Sequence, residues 1–213
     1  MDKNNPTTKK RDFDKEAATW DTAQKITLAK NIAGAILSQV KLTKEMDVMD
    51  FGCGTGLLAF HIQPLVRSVV GVDSSKGMLD AFNTKIRQKD IKNAKTSFVD
   101  LSAGDVLNGR YQAIISGMTL HHIEDVPALL KRFFEILTKG GQLALVDLDE
   151  EGGLFHENKD GVFHNGFNRE KLKGLLTDAG FADIRDTTAA QMTKSAANGA
   201  LRTFSIFLIT GRK

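Results

Sequence analysis

Apolar positions along the chain change period several times, and each change marks an element. Across 22–40 (TAQKITLAKNIAGAILSQV), Ile26, Ala29, Ile32, Ala33, Ile36 and Val40 recur at helical spacing and draw one apolar stripe. Short, nearly continuous apolar runs follow at 47–51 (DVMDF), 69–72 (VVGV), 96–99 (TSFV), 112–116 (QAIIS) and 142–148 (QLALVDL). Helical patterns over 57–65, 75–88, 125–138 and 168–179 accompany these runs, the last closed by Gly180, a residue suited to a left-handed helix end. Strands that are apolar on both faces and alternate with helices predict a parallel sheet covered on both sides. The end of the chain breaks this alternation. After 181–186 (FADIRD) comes a polar stretch at 187–200 rich in Ala and Thr, then 203–209 (TFSIFLI), the longest β-type run. Two strands with no helical crossover between them should pair antiparallel. The pattern therefore predicts one α/β domain over 13–213, without internal repeats and with a reversed strand at its end.

Composition adds bounds. The 213 residues are 41% hydrophobic and 26% charged, a soluble globular balance, and a chain of this length can bury a substantial core. Lys and Arg exceed Asp and Glu by three, which is too little to announce a nucleic-acid or membrane partner. The single cysteine, Cys53, rules out an intrachain disulfide framework and suits a reducing compartment. No run approaches the ~18 apolar residues of a membrane span, and residues 1–12 (MDKNNPTTKKRD) read as a polar disordered tail rather than a signal region. A cytoplasmic location is the expectation.

The most informative segment is VMDFGCGTG at 48–56, which ends one strand and opens a helix. Gly52, Gly54 and Gly56 alternate, allowing a tight turn and close approach of a ligand to the backbone. Asp73 closes the next strand, where its carboxylate can accept from both hydroxyls of a ribose. The spacing is G-x-G-x-G, and Asp50 precedes it. A dinucleotide site normally uses G-x-G-x-x-G so that a helix N-terminus meets the pyrophosphate, and an acid beside the turn suits a cationic ligand better.

On these residues the chain resembles the class I S-adenosylmethionine-dependent methyltransferases. Further matches are DSSKGMLD after the second strand, Asp100 ahead of the YQAII strand, SGMTLHHIED after it, and KGGQLALVDL and FNREKLKGLLTDAGFADI later, so that roughly 13–211 is covered. The resemblance implies a Rossmann-like, doubly wound seven-stranded sheet of order 3-2-1-4-5-7-6 with strand 7 antiparallel, and S-adenosyl-L-methionine as cofactor. It also implies site roles. Asp50 would brace the turn and reach the amino-acid end of the cofactor through water, Gly52 and Gly54 would lie along the methionine moiety, and Asp73 would hold the ribose. Ser74 and Met78 would flank the adenine, Asp100 would accept from its exocyclic amino group beside Leu101, and Ser116 to Met118 would floor the sulfonium. Residues 13–45 would form a helical lid, with Phe13 and Trp20 as pocket walls for the substrate. Plainer roles compete at several positions: Cys53 as a small buried filler, Met78 as helix core, Phe13 and Trp20 as helix anchors, and Asp105 as a rival to Asp100 that simply starts a turn.

Methyl transfer from a sulfonium is an in-line displacement, so the enzyme chiefly aligns donor and acceptor. A general base is required only when the acceptor must lose a proton. The candidates are His121 and His122, of which at most one should face the pocket because neighbouring loop residues usually point apart; backbone-bonded helix entry is the competing role. The segment 147–167 (DLDEEGGLFHENKDGVFHNGF) adds His156 as a substrate contact and His164 as an acid–base group, while Phe155, Phe163 and Phe167 suggest that part of it packs down. Combined with Asp149, Glu150 or Glu151, these histidines fit no metal-binding spacing. The chain has no N-P-P-Y segment and no Pro-Cys pair, and Tyr111 lacks a lysine four residues on, which disfavours adenine or cytosine methylation and a nicotinamide reductase. A small-molecule acceptor leads; a protein side chain, a transfer RNA, or a cofactor-binding module without turnover remain as alternatives.

Overall fold

The computed structural model describes residues 11–213. Most of the predicted tail, residues 1–10, lies outside the described residues. Arg11 and Asp12 are built into the domain: the Arg11 guanidinium grips Glu16 at 2.6 and 2.7 Å, and Asp12 caps the first helix.

Two short N-terminal pieces, α1 (Phe13–Glu16) and a 3-10 turn (Ala17–Thr19), lead into α2 (Ala23–Gln39), which Thr22 caps. The strands are β1 (Asp47–Phe51), β2 (Ser68–Asp73), β3 (Ala94–Phe98), β4 (Tyr111–Gly117), β5 (Leu137–Leu148), β6 (Ala182–Ser195) and β7 (Leu201–Arg212). The remaining helices are α3 (Ala59–Ile62), α4 (Lys76–Gln88), α5 (Val126–Ile136) and α6 (Arg169–Asp178). The sheet runs β3-β2-β1-β4-β5-β7-β6, with parallel pairing through β5 and β7 antiparallel to both its neighbours. The expected order and reversed strand are both present. Among the described residues, no helix is long and apolar enough to cross a membrane.

Period-two alternation explains why the strands looked apolar throughout. Val48, Ile115 and Leu208 enter a core on one face with Ile32, Ile36 and Phe82, while their neighbours Met49, Ile114 and Phe207 enter the other with Leu130, Phe133 and Leu176. Fully burying each such side chain is worth about 1.5–3 kcal/mol.

Three elements differ from the pattern-based expectation. The helix expected over 57–65 is only Ala59–Ile62, followed by a 3-10 turn at Gln63–Leu65, because Pro64 supplies no N–H to continue an α-helix. Strand β5 begins at Leu137, five residues before the apolar run, with a register shift opposite Tyr111 and Ala113. The polar stretch 187–200 is largely strand. β6 is the sheet edge, and in that stretch only Ala196 is buried in the core while Ala189, Ala190 and Met192 pack against it, so its hydrophobic signal was weak.

Candidate active site

The carboxyl ends of β1, β2, β4 and β5 converge on the glycine turn, where a doubly wound sheet places its ligands. Gly52, Gly54 and Gly56 all have positive φ (69°, 51° and 86°), a region that glycine alone enters without penalty. Their surroundings differ. A Cβ on Gly52 would run into the Thr119 side chain at 2.2 Å, and one on Gly56 into the Phe82 ring at 2.5 Å. These two glycines let the turn pack against the protein. At Gly54 the nearest atoms are Trp20 Nε1 at 3.8 Å and Met78 Sδ at 4.0 Å, so this glycine faces the N-terminal segment and leaves its backbone approachable.

Asp73 braces the turn. Its Oδ2 accepts from the Gly54 N–H at 2.8 Å and its Oδ1 from the Ser75 N–H at 2.9 Å. Burial pushes its pKa up, against the opposing pull of these backbone donors. A carboxylate has about four acceptor sites, so capacity for two hydroxyl donors remains. Asp50 is more unusual. It is 1% exposed, and its Oδ2 has no hydrogen-bond partner among the described residues. Burial and the nearby charge of Asp73 raise its pKa to about 8. A buried carboxyl with an orphaned oxygen on the strand leading into the glycine turn fits a cationic ligand such as a sulfonium carrying an ammonium group. Burial also lifts the Cys53 thiol well above its ordinary pKa, which agrees with an inert filler.

The adenine-side candidates are distributed around this turn. Ser74 is exposed beyond Asp73, and Met78 is buried at the start of α4, where its N–H donates to Ser75 Oγ. Asp100 accepts from the N–H and Oγ of Ser102 at 3.0 and 2.6 Å and so caps a 3-10 turn beginning at Leu101. Asp105 accepts from the Asp100 N–H at 2.9 Å, so the two rivals belong to one turn. On the opposite side, Ser116 is taken up by the fold: its Oγ donates to the Phe51 carbonyl at 2.9 Å, which ties β4 to β1 behind the site. Met118 adopts φ 58° and is held through its N–H to Val146 O.

Two latches fasten the N-terminal segment over the turn. Asp14 accepts from Ser75 Oγ and from the Gly77 N–H (2.9 Å for the latter), and a Cβ on Gly77 would touch the Asp14 backbone. Asp21 joins Thr55 Oγ1 and Lys85. Phe13 then meets Trp20 edge-on at 5.9 Å and His122 at 5.2 Å. Gly54, Trp20, Phe13 and His122 thus form a continuous wall leading away from the turn.

Beyond it lies a cluster of three imidazoles. The rings of His121 and His122 lie 4.1 Å apart by centroid, and His156 is 4.9 Å from His121 and 5.9 Å from His122. The expectation that the adjacent pair diverges fails because Leu120–His122 is a 3-10 turn rather than an extended loop. His122 Nδ1 meets the Gly161 carbonyl at 2.7 Å and must carry the proton of that bond. Burial and the neighbouring His121 lower the His122 pKa to about 4, while burial with both neighbours brings His156 to about 3. These two rings are neutral at physiological pH. His121 is 2% exposed, and its Nδ1 lies 2.7 Å from Oδ1 of Asp147, which is fully buried. Asp147 also accepts from the N–H groups of His121 (3.2 Å) and Leu148 (2.7 Å). Burial pushes its pKa up, but His121 and these donors outweigh burial and hold it below the ordinary carboxylate value.

His164 stands apart. Its Nε2 donates to the Ile123 carbonyl at 2.9 Å and its ring packs on Phe167 at 5.0 Å, so it anchors the 147–167 loop instead of joining the cluster. His164→Ala is expected to cost about 1 kcal/mol, a fall of roughly 2–4 °C in Tm for a chain of this size. An unchanged melting temperature would remove the anchoring role.

Sequence reasoning missed Asp147, Thr119 and the latch residues Asp14 and Asp21. Only Asp147 carried a visible signal, an acid within an otherwise apolar strand, as at Asp50.

Comparison with known proteins supplies independent findings. A family model described as a methyltransferase domain matches residues 26–185. An uncharacterized methyltransferase of Schizosaccharomyces pombe is 30% identical over 161 residues, covering 68% of this chain and 57% of the relative. A 2-phytyl-1,4-naphtoquinone methyltransferase of Synechococcus elongatus is 29% identical over 109 residues, covering 47% of this chain and 45% of the relative. The chain spans about half the length of such curated relatives. Among solved structures, the YcgJ protein of Bacillus subtilis superposes with a TM-score of 0.74 at 16% identity, covering 86% of this chain and 98% of that one, a likeness of fold.

Proposed function

The chain belongs to the methyltransferase-domain family, and from that premise we propose that it moves a methyl group from S-adenosylmethionine to a small-molecule acceptor by in-line displacement. The observation that carries the cofactor assignment is Asp50, a buried carboxyl with one orphaned oxygen on the strand that leads into the glycine turn. S-adenosylmethionine supplies an activated methyl on sulfur and brings an ammonium group that would satisfy that oxygen, directly or through water. Asp73 would accept from the ribose hydroxyls, Met78 and Leu101 would provide apolar walls for the base, and Asp100 a polar one. The lid residues Phe13 and Trp20 would exclude water from the reacting atoms, which strengthens every electrostatic contact inside.

A small acceptor is favoured by the closed wall of Trp20, Phe13 and His122 and by the absence of a large charge excess. The naphthoquinone relative is named for an acceptor of this size class. The test is transfer of radiolabelled methyl from S-adenosylmethionine into a size-fractionated extract of the source cells. Label in the small-molecule fraction, lost with Asp73→Ala, is the expected result. Label in protein or RNA would move the acceptor class. Cofactor binding without label in any fraction would favour a module that binds but does not turn over.

A further inference from the structure

We propose that Asp147 is a positioning residue that makes His121 the general base, and that the acceptor is therefore a protic nucleophile, an O–H or N–H group that surrenders its proton during transfer. This rests on the methyltransferase reading above and narrows its substrate class.

The geometry is that of an oriented imidazole. The Asp147 carboxylate can only accept from Nδ1–H of His121, which fixes the tautomer and leaves the lone pair on Nε2. Nε2 of His121 has no hydrogen-bond partner among the described residues. The same carboxylate takes the His121 backbone N–H, so ring and main chain are held by one buried group. Asp147 faces the ring from β5; burial and the neighbouring His121 lower the pKa of His122 on the same turn and of His156 on the loop, with Arg11 acting in the same sense on both, Lys194 on His156, and Asp147 opposing at His122. Among these rings only His121 is hydrogen-bonded to a carboxylate.

A second observation points to a ligand. Nε2 of His156 is buried and has no hydrogen-bond partner, and its ring lies beside His121. A polar group arriving next to His121 would end that isolation. Base and unmet polar atom together describe a place for a hydroxyl or amine; a thiolate or a tertiary amine would need neither. In the step itself, the acceptor atom forms a bond to the methyl carbon as the carbon–sulfur bond breaks, with the bonding pair retained by sulfur. The acceptor's own proton passes to Nε2 of His121, and the resulting imidazolium is neutralised by Asp147. Atoms and charge balance without a further reactant.

Three measurements on the full chain test this. First, long-range ¹⁵N–¹H correlation on histidine-labelled protein should show His121 protonated on Nδ1, with the other tautomer gaining population in Asp147→Asn; an Nε2–H ring in the wild type would overturn the proposal. Second, titration with S-adenosylhomocysteine should give the same affinity for wild type, Asp147→Asn and His121→Gln, establishing that both variants fold. Third, label transfer into the small-molecule fraction between pH 6 and 9 should fall by about 10²–10⁴-fold in His121→Gln. In Asp147→Asn it should fall by at least about tenfold, with a displaced pH profile, and the product should carry its methyl on an oxygen or nitrogen that previously bore hydrogen. A methyl on sulfur or carbon, an Asp147→Asn profile identical to wild type, or a wild type that binds S-adenosylhomocysteine but transfers nothing would each overturn it. Failure of the wild type to bind S-adenosylhomocysteine would instead fall on the functional reading, and the tautomer measurement would still decide the dyad.

Discussion

Asp73→Ala is expected to weaken S-adenosylhomocysteine binding by roughly 30–150-fold, the equivalent of about 2–3 kcal/mol for a charged hydrogen-bond acceptor. It should also lower the melting temperature. The two effects share one cause: the carboxylate that would meet the ribose already holds the N–H groups of Gly54 and Ser75. Removing it leaves those backbone donors without partners and releases the turn whose shape the cofactor requires. Asp73→Asn keeps one acceptor oxygen and should fall between wild type and Ala in both measurements. Calorimetry showing full affinity in the Ala variant would exclude the ribose assignment; a fall in stability with affinity retained would leave Asp73 as a brace alone.

Asp50→Asn should act in opposite directions on stability and binding. The folded-state pKa of about 8 lies above the ordinary value of 3.8. The folded protein therefore holds a proton that the unfolded chain releases between those limits. Stability contributed by that proton is fully present below about pH 4 and is lost as pH rises through 8. Asn removes this dependence. The variant should match wild type near pH 4 and exceed it at pH 8 by on the order of 2–3 kcal/mol, or about 5–10 °C in Tm. Cofactor affinity should drop at the same time, because the anion that would meet the ammonium group is gone. In the wild type, binding near pH 7 should release a proton, visible as a dependence of calorimetric heat on the buffer's ionisation enthalpy. Equal melting curves across pH 4–8 would show that Asp50 is not ionised at a cost in the folded chain.

Both predictions concern residues that stood out in the linear chain. Asp50, the alternating glycines and Asp73 are close in sequence to the strands that present them, so strand ends and turn chemistry located them. What could not be read there was the division of labour among the glycines. Gly52 and Gly56 are demanded by Thr119 and Phe82, residues far along the chain or across a helix, while Gly54 of the three faces Trp20 and Met78 with room to spare. The partner of Ser116 was equally out of reach: its hydroxyl donates to the Phe51 carbonyl on the neighbouring strand.

The histidines depended on tertiary packing most of all. His121 and His122 were visible as a pair, yet their joint orientation required the 3-10 turn, and the turn is held by Asp147 from a different strand. His156 and His164 looked equivalent within one loop. The packed structure sends the first to the imidazole cluster and the second to the Ile123 carbonyl.

By itself the sequence determined the strand-and-helix alternation, the reversed final strand and the cofactor-type turn, because period, glycine conformational freedom and chain connectivity are local properties that leave a linear trace. Tertiary structure alone decided how far β6 extends, which polar atoms stay unpartnered and which imidazole meets a carboxylate. Those outcomes depend on burial and on partners distant in sequence, and the energy of a charge or hydrogen bond is set by what surrounds it in space.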